Sequence, residues 1–272
     1  MRSSSTTKPR RWARSPTAAR SVLAQHQSFK DHFSGHAGHY ARFRPEYPAE
    51  LFSFLAGCCA QTELAWDCAT GNGQAARGLS RYFARVVATD ASPEQVSAAP
   101  PSPNIEYLVA AAEAAGFESA SIDLITVAQA LHWFRIDRFF AEAARVLAPG
   151  GVLAVWSYER CRVDGRYDEV VERVFDLVED YWPPERRIVE DRYRGIELPV
   201  PEIPAPAFSM TVGWTSADMT GYLRTWSATQ RYLRDNDDAR LVELEAELHD
   251  AWGRGDRTVT WPLTLKVGRR GD

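Results

Sequence analysis

Cysteine is scarce in this sequence of 272 residues, and its spacing follows no metal-binding or disulfide pattern. The four cysteines are Cys58, Cys59, Cys68 and Cys161, and no pair of them forms a CxxC motif. Cys58 and Cys59 are neighbours in the chain, which makes them poor candidates for bridging each other. A disulfide scaffold is therefore not predicted, and a reducing, cytoplasmic location is expected.

Long apolar runs and a strong excess of charge of one sign are also missing. No run approaches the ~20 apolar residues that a membrane-spanning helix needs. The formal net charge is −4, which gives no global reason to expect nucleic acid as a partner. Hydrophobic residues make up 45% and charged residues 25% of the chain, as in an ordinary globular protein. Neither a membrane nor a nucleic-acid partner is predicted.

Acidic residues are absent from the first thirty positions, which are rich in arginine, serine and threonine. This segment also lacks the apolar centre of a secretory signal. Its composition predicts a disordered basic extension over residues 1–27. An organellar transit peptide is the alternative, since such peptides share the same bias.

Strand-like and helix-like segments alternate between Leu64 and Ser157. The strand-like segments are LAWDCA, RVVATD, IEYLVA, SIDLITVAQ and GVLAVWS. Their nearly continuous apolar character and the helices between them predict a parallel sheet with helices on both faces.

Capping signals mark the ends of two of the intervening helices. Ser92 is a favourable N-cap, Pro93 suits the first helical position, and Gln95 completes a capping box. Asp137 is expected to open a later helix that ends near Pro149.

Beyond Ser157 the alternation stops. RYDEVVERVFDLVEDYW is typical of a long amphipathic helix, and a proline-rich, irregular stretch follows it. Two further helical runs, SADMTGYLRTWSATQRYL and DDARLVELEAELHDAWG, precede the strand-like TVTWPLTLKVG. These helices are expected to cover an acceptor pocket, or otherwise to pack as plain amphipathic helices.

The segment LAWDCATGNGQAARGL is typical of a strand, a glycine loop and a helix whose first turn binds a nucleotide-like ligand. Its glycines match a loose dinucleotide pattern, G-x-G-x-x-A, whereas the G-K-S/T of a phosphate loop is missing. Asp67, at the strand end, would repel a pyrophosphate and attract an ammonium group. Asp90 ends the next strand and can accept hydrogen bonds from both ribose hydroxyls. S-adenosylmethionine, a cationic adenosine without phosphate, fits this pair of acids.

These motifs together resemble those of class I S-adenosylmethionine-dependent methyltransferases. WDCATGNGQ is similar to the first motif of that superfamily, although Ala69 replaces its first glycine, so that the turn must tolerate a Cβ. VVATDAS, AAAEAAGFESASIDLITVAQALHWF and RVLAPGGVLAVW resemble the later motifs. The resemblance implies an α/β fold with a doubly wound, mostly parallel seven-stranded sheet and helical lid elements. It also implies S-adenosyl-L-methionine as cofactor and in-line methyl transfer to a small-molecule carboxylate or hydroxyl.

A narrower resemblance extends from about Phe33 to Gly268. FSGHAGHYARFRPEYPAEL, AQALHWF and GYLRTWSATQRY resemble a branch of small-molecule methyltransferases that includes relatives of trans-aconitate methyltransferase. We accordingly expect one methyltransferase domain over residues 28–272. Its parts are an N-terminal lid (28–60), a cofactor-binding core (61–157), a helical acceptor-covering region (158–257) and a last strand (258–268).

The predicted site residues follow successive strands, and the carboxyl ends of parallel strands meet at one edge of a sheet. Ala112 and Glu113 would border the adenine by resemblance, but Glu113 has the alternative role of capping the following turn. Asp90 has helix capping as its alternative. The predicted cofactor-binding residues are Tyr40, Arg44, Asp67, Ala69, Gly71, Gly73, Gln74, Asp90, Ala91, Ala112, Glu113, Gln129, His132 and Trp133.

Arginines supply the predicted contacts to negative groups. By resemblance, Tyr40 and Arg44 fold over the cofactor and meet its carboxylate, which suits an arginine fork. Otherwise Arg44 is a surface charge. Arg160, Arg162 and Arg166 follow the fifth strand, where they either reach a negative acceptor or stay solvated.

Gln129 and His132 are the candidate catalytic residues, because they end the fourth strand, where the methyl group should point. His132 has a reference pKa near ~6.5 and is a candidate general base. The alternative is a packed histidine that shapes the pocket, since an ionised carboxylate acceptor needs no base. Trp133 is either a cation–π partner of the sulfonium or a pocket wall.

No metal site is predicted. His32, His36 and His39 have a suggestive spacing, but Gly35 and Gly38 argue against a continuous helix that would align them. Two other functions stay open at this point: a nicotinamide-dependent oxidoreductase that uses the same loop, and a cofactor-binding protein without catalysis. The oligomeric state is left undetermined.

Overall fold

The computed structural model describes residues 43–163 and 165–271. The predicted extension over residues 1–27, together with Tyr40 and the three histidines before it, lies outside the described residues. The strands are β1 (Leu64–Cys68), β2 (Arg85–Asp90), β3 (Ile105–Val109), β4 (Ile122–Ala128), β5 (Leu147–Tyr158), β6 (Ser209–Trp214) and β7 (Arg257–Arg269). The α-helices are α1 (Ala49–Cys58), α2 (Gln74–Leu79), α3 (Pro93–Ala98), α4 (Ile136–Val146), α5 (Gly165–Leu177), α6 (Arg187–Glu190), α7 (Ser216–Arg224), α8 (Ser227–Asp235) and α9 (Ala239–Trp252).

The strands form one seven-stranded sheet in the order β3-β2-β1-β4-β5-β7-β6. β1 to β5 are parallel to one another, and β7 runs antiparallel to both β5 and β6. The mostly parallel α/β sheet predicted from the sequence is therefore confirmed. The strand order reverses between β1 and β4, and ligands of such sheets bind at this reversal, outside the carboxyl ends of the strands.

The central strands are buried on both faces, which explains their continuous apolar sequence. Trp66, Ile125 and Leu153 are paired across β1, β4 and β5 and belong to one apolar cluster. The residue before each of them belongs to a second cluster on the opposite face of the sheet. Alternate residues thus anchor the helices on both faces and keep the strand ends in register.

The helices after β5 pack over the second cluster through large aromatic side chains. Trp226, Trp252 and Trp261 are almost fully buried there. Trp261 of β7 donates a hydrogen bond from Nε1 to the Tyr222 hydroxyl of α7 at 3.0 Å. The helical region is therefore fastened to the sheet at its antiparallel end. Across residues 43–163 and 165–271, no helix combines the length and apolar character required to cross a bilayer.

The cap predicted for α3 is present, with one changed contact. Ser92 Oγ accepts a hydrogen bond from Gln95 N at 3.2 Å, and Pro93 occupies the first helical position. The Ser92 N–H, which a capping box would pair with the Gln95 side chain, instead donates to Asp90 Oδ1 at 2.9 Å. The acid at the end of β2 is closer in the chain and carries a full charge, so it takes this contact.

Four other secondary-structure predictions were wrong. α4 begins at Ile136 with Arg135 as its N-cap, so Asp137 lies inside the first turn rather than at the cap. α4 also ends at Val146, because the segment around Pro149 extends β5. β6 was missed, and the run containing α7 and α8 is two helices rather than one.

Candidate active site

The glycine loop between β1 and α2 has a left-handed backbone at three positions. Ala69, Gly71 and Gly73 have φ values of 55°, 54° and 81°. Ala69 thus adopts at the first position the conformation that glycine favours, at a cost of roughly 1–2 kcal/mol. A Cβ on Gly73 would lie 2.4 Å from the Tyr107 hydroxyl oxygen, whereas one on Gly71 would have no neighbour nearer than 4.0 Å. The loop is therefore packed on its Gly73 side and open over Gly71.

Asp90 fastens this loop to the end of β2. Its Oδ2 accepts a hydrogen bond from Gly71 N at 2.9 Å, and its Oδ1 accepts one from Ser92 N at 2.9 Å. The side chain is almost buried, with 9% of the residue exposed. A carboxylate can accept about four hydrogen bonds, so these contacts are compatible with a ribose as a further partner. Ala91, directly after it, is half-buried on the same edge.

Asp67 lies beneath the loop rather than on its surface. It is completely buried, and it accepts hydrogen bonds from Thr70 Oγ1 at 2.5 Å and Thr126 Oγ1 at 2.8 Å. Burial raises its pKa to about 6, against the opposing effect of these hydrogen bonds. Asp67 therefore holds the loop on β1 and β4 and is not exposed at the surface of the loop, where direct contact with a ligand would require it.

Glu113 contacts the start of α4, a distant part of the chain, rather than the following turn named in its predicted capping alternative. Its Oε1 accepts a hydrogen bond from Arg135 N at 3.2 Å, and an ion pair joins it to Arg135 Nε at 3.5 Å. Ala112 beside it is buried in the cluster that contains Trp66. This segment after β3 thus borders the same edge as the glycine loop.

Gln129, directly after β4, is held in a strained conformation. Its φ is 56°, and its N–H donates to Trp156 O of β5 at 2.9 Å. Its Nε2 is buried and has no hydrogen-bond partner among the described residues. Backbone strain and an unsatisfied buried amide together are typical of a functional site, since neither stabilises the fold.

His132 lies one short 3₁₀ turn further on, and its Nδ1 is likewise buried without a partner in the described part of the chain. Burial and, to a smaller extent, the positive charge of Arg186 lower its pKa to about 4, with Glu185 opposing. The ring is therefore neutral at neutral pH. A neutral imidazole can accept a proton or donate its N–H to an acceptor.

A cavity of about 100 Å³ opens in front of these two residues. It lies between the ends of β4 and β5 and the helical region that follows them. Its walls are lined by Arg44, Gln129, His132, Trp133, Tyr158, Glu159, Arg160, Phe175, Trp182, Pro183, Arg186, Val189, Tyr222, Trp226 and Ser227. The combination of guanidinium groups and aromatic rings makes this cavity the candidate acceptor pocket.

The N-terminal segment reaches both the loop and the cavity. Gln74, at the start of α2, donates from Nε2 to Pro45 O at 2.7 Å. Arg44 donates to the Tyr158 hydroxyl, and its guanidinium lies 5.1 Å from the Tyr222 ring centroid. Arg44 thus forms part of the cavity wall rather than a surface charge, while its predicted partner Tyr40 lies outside the described residues.

Of the three arginines predicted to contact a negative acceptor, one lies at the cavity. Arg160 lines the cavity, whereas Arg162 and Arg166 are exposed outside it. The cavity also contains Arg186, which the sequence reasoning missed because it lies in the proline-rich stretch interpreted as irregular. No group of three or more metal-binding side chains occurs within the described ranges.

Comparison with known proteins gives the same assignment for the core and for most of the chain. Residues 66–155 match a model of the methyltransferase domain. A Dictyostelium discoideum protein assigned to the methyltransferases is 33% identical over 233 residues, covering 84% of this chain and 89% of that protein. An uncharacterised methyltransferase of Mycobacterium tuberculosis is 35% identical over 152 residues, covering 54% of this chain and 62% of that protein.

A solved protein structure can be superposed on this fold over almost the whole length of the solved chain. The protein, assigned as a type II methyltransferase of Anaeromyxobacter dehalogenans, is 40% identical with a TM-score of 0.80. The match covers 84% of this chain and 99% of that one. The narrower resemblance to relatives of trans-aconitate methyltransferase stays a prediction. Sequence, fold and these relatives agree on S-adenosylmethionine as cofactor, and the chain belongs to the class I S-adenosylmethionine-dependent methyltransferases.

Proposed function

We propose that this protein transfers a methyl group from S-adenosylmethionine to a carboxylate or hydroxyl oxygen of a small molecule. The observation that carries the proposal is the shared edge of the sheet. The open loop and Asp90 lie on one side of the strand reversal, and Gln129, His132 and the cavity lie on the other. A cofactor lying across this edge would present its methyl group to the cavity.

The residues of the β1 and β2 ends would hold the adenosyl half. Asp90 would accept hydrogen bonds from the ribose hydroxyls, and the open side of the loop at Gly71 leaves room for the ligand. Ala112 and Glu113 would border the adenine, as expected by resemblance. Ala69, Gly73, Gln74 and Asp67 would act by setting the shape and the charge of the loop.

The residues of the β4 and β5 ends would position the acceptor. When bound, the cofactor supplies an electrophilic methyl group on its sulfonium. Gln129 Nε2 is free to donate to an acceptor oxygen, and neutral His132 can take the proton of a hydroxyl. An ionised carboxylate would need only the positioning. Holding acceptor and methyl group in line contributes up to ~7–11 kcal/mol to catalysis in favourable cases.

The proposal is tested by calorimetry with S-adenosylhomocysteine on matched variants. Asp90→Asn should weaken binding at least about tenfold, because a hydrogen bond to a charged group contributes about 1.5–3 kcal/mol. Asp123→Asn is the control, since Asp123 also accepts two backbone N–H bonds, from Glu63 and Leu64 at 2.9 Å, but at the amino end of β4. Its affinity for the ligand should match that of the wild type.

A modified ligand separates direct contact from distortion of the loop. The 2′-deoxy form of S-adenosylhomocysteine should bind the wild type more weakly. The loss of affinity caused by Asp90→Asn and the loss caused by removing the 2′-hydroxyl should not add, because each change removes one partner of the same hydrogen bond. Fully additive losses would refute the ribose contact. Binding of the cofactor without methyl transfer to any acid or alcohol would instead favour the non-catalytic alternative.

A further inference from the structure

Positive charge dominates the cavity. Arg44, Arg160 and Arg186 line it, whereas Glu159 is the one carboxylate among the described residues in its wall. Glu159 is already engaged by the Arg192 guanidinium at 2.7 Å on its outer side. Arg160 and Arg186 are paired with Glu172 and Glu190, two carboxylates that do not line the cavity, so the charged groups in its wall favour an anion over a neutral or cationic acceptor.

Arg186 is the guanidinium best placed to hold that anion. Its side chain is 27% exposed, and its Nε donates to Glu190 at 3.2 Å, a carboxylate that is itself 44% exposed. Its two terminal nitrogens have no hydrogen-bond partner within the described ranges. Burial lowers the pKa of Arg186 from its ordinary value. Arg160 is more exposed, at 43% of its side chain, and it uses a terminal nitrogen rather than Nε for its ion pair with Glu172.

Flat aromatic surfaces surround this guanidinium. Phe175 and Trp182 are stacked at 5.7 Å with an interplanar angle of 26°. The Arg186 guanidinium lies 3.8 Å from the Trp182 ring centroid, and the Arg160 guanidinium lies 3.4 Å from that of Phe175. Trp226 packs against Trp182 at 5.7 Å. Rings and guanidiniums thus form a layered wall, against which a planar ligand retains contact over its whole face.

The size of the cavity limits the ligand further. Its volume is about 100 Å³, and a cavity of about 150 Å³ accommodates a benzene ring. This cavity is smaller than that but open on one side, so a single ring or a conjugated group of similar size fills it without being enclosed. A larger acceptor would have to leave the rest of its structure outside.

From the guanidinium, the layered wall and the volume, we infer that the acceptor is a small planar acid whose carboxylate pairs with Arg186 and whose flat face lies against Trp182 and Trp226. This inference rests on the proposed function in taking the cavity as the acceptor pocket. It assigns to Arg186 the selection of the acceptor.

Benzoate is the probe, titrated by calorimetry into the free protein and into the protein saturated with S-adenosylhomocysteine. Benzamide keeps the ring without the charge, and cyclohexanecarboxylate keeps the charge without the flat ring. Benzoate should bind the wild type at least about tenfold more tightly than either. Equal binding of benzamide would overturn the anionic part of the inference, and equal binding of cyclohexanecarboxylate would overturn the planar part.

Variants locate the contact. Arg186→Gln should weaken benzoate binding at least tenfold, and Arg186→Lys should restore part of the loss, because lysine keeps the charge without the planar fork. Arg162→Gln is the control, since Arg162 is 67% exposed and lies outside the cavity. It should bind benzoate as the wild type does. Equal losses in Arg162→Gln and Arg186→Gln would overturn the assignment.

The pKa of His132, followed by NMR of the ring protons, gives a readout that a purely structural role would not move. Arg186 and Glu185 are the charged groups that act on this ring. Arg186→Gln should raise the pKa of His132 in the free protein, and benzoate should raise it in the wild type. An unchanged pKa in both cases would contradict the placement of the anion beside Arg186.

The titrations with benzoate and with S-adenosylhomocysteine distinguish a failure of the planar-acid inference from a failure of the proposed function. A folded protein that binds S-adenosylhomocysteine but not benzoate would refute the planar acid and leave the proposed methyl transfer intact. Binding of benzoate through Arg186 without any binding of S-adenosylhomocysteine would refute the proposed function and retain the acid site.

Discussion

Substitution of His132 should reveal a pH dependence of stability that is absent from the wild type, where the opposite effects of His132 and Asp67 nearly cancel. The pKa of His132 is lowered to about 4 by burial and by Arg186, with Glu185 opposing. The pKa of Asp67 is raised to about 6 by burial and by the charge of Asp90, with the hydrogen bonds to it opposing. Both groups are therefore uncharged in the folded protein at pH 5.

The two effects on stability have opposite signs. The folded pKa of His132 lies below its unfolded value of about 6.5, so the unfolded chain takes up the proton and stability is lost as pH falls from about 6.5 to 4. The folded pKa of Asp67 lies above its unfolded value of about 3.9, so stability is lost as pH rises from about 4 to 6. Each difference amounts to roughly 3 kcal/mol, and the two nearly cancel.

Urea unfolding of the wild type and His132→Gln at pH 4.5 and 6.5 measures the separate contributions. Subtracting one protein from the other removes the titration of all shared groups. The wild type should gain about 2–3 kcal/mol over the variant as the pH rises between these values. Asp67→Asn should show the opposite sign. A difference between wild type and His132→Gln that stays constant within the extrapolation error would refute the neutral, buried histidine.

Two further substitutions test the glycine loop. Ala69→Gly should raise the free energy of unfolding by roughly 0.5–1 kcal/mol, because the relief of left-handed strain exceeds the entropy cost of glycine. The control Ala75→Gly, inside α2, should lower it by about 1 kcal/mol or more, and a loss in both variants would show that Ala69 is not strained. Gly73→Ala should weaken S-adenosylhomocysteine binding about tenfold, as its Cβ would meet Tyr107 at 2.4 Å with φ at 81°. Calorimetry that finds wild-type affinity would contradict the packed side of the loop.

Local signals in the sequence were sufficient for the core of the sheet. The strand around Trp66 and the strand that ends at Asp90 are continuous apolar runs, because both faces of these strands are buried. The acids and glycines at their ends therefore stood out as exceptions. Since parallel strands place such ends together, the edge of the site followed from sequence order and topology alone.

The parts that escaped prediction depend on contacts between distant segments. Arg186 enters the cavity through two short 3₁₀ and α turns in a proline-rich stretch with no periodic signal. Glu113 finds its partner at Arg135, 22 residues further along the chain. Within the described residues β6 pairs with β7 alone and has one fully buried residue, Met210, so its apolar signal is too weak to stand out from a loop.

The position of β7 has a consequence for the way in which the molecule is assembled. β7 lies between β5 and β6, so that nothing in the earlier chain can join those two strands. The half proposed to bind the adenosyl group needs only residues up to about Tyr158, and its parallel strands can be completed during synthesis. The half proposed to hold the acceptor must wait until Trp261 has emerged to take its place beside Tyr222. Under the proposed function, a nascent chain would therefore recognise a nucleoside before it could select what is to be methylated.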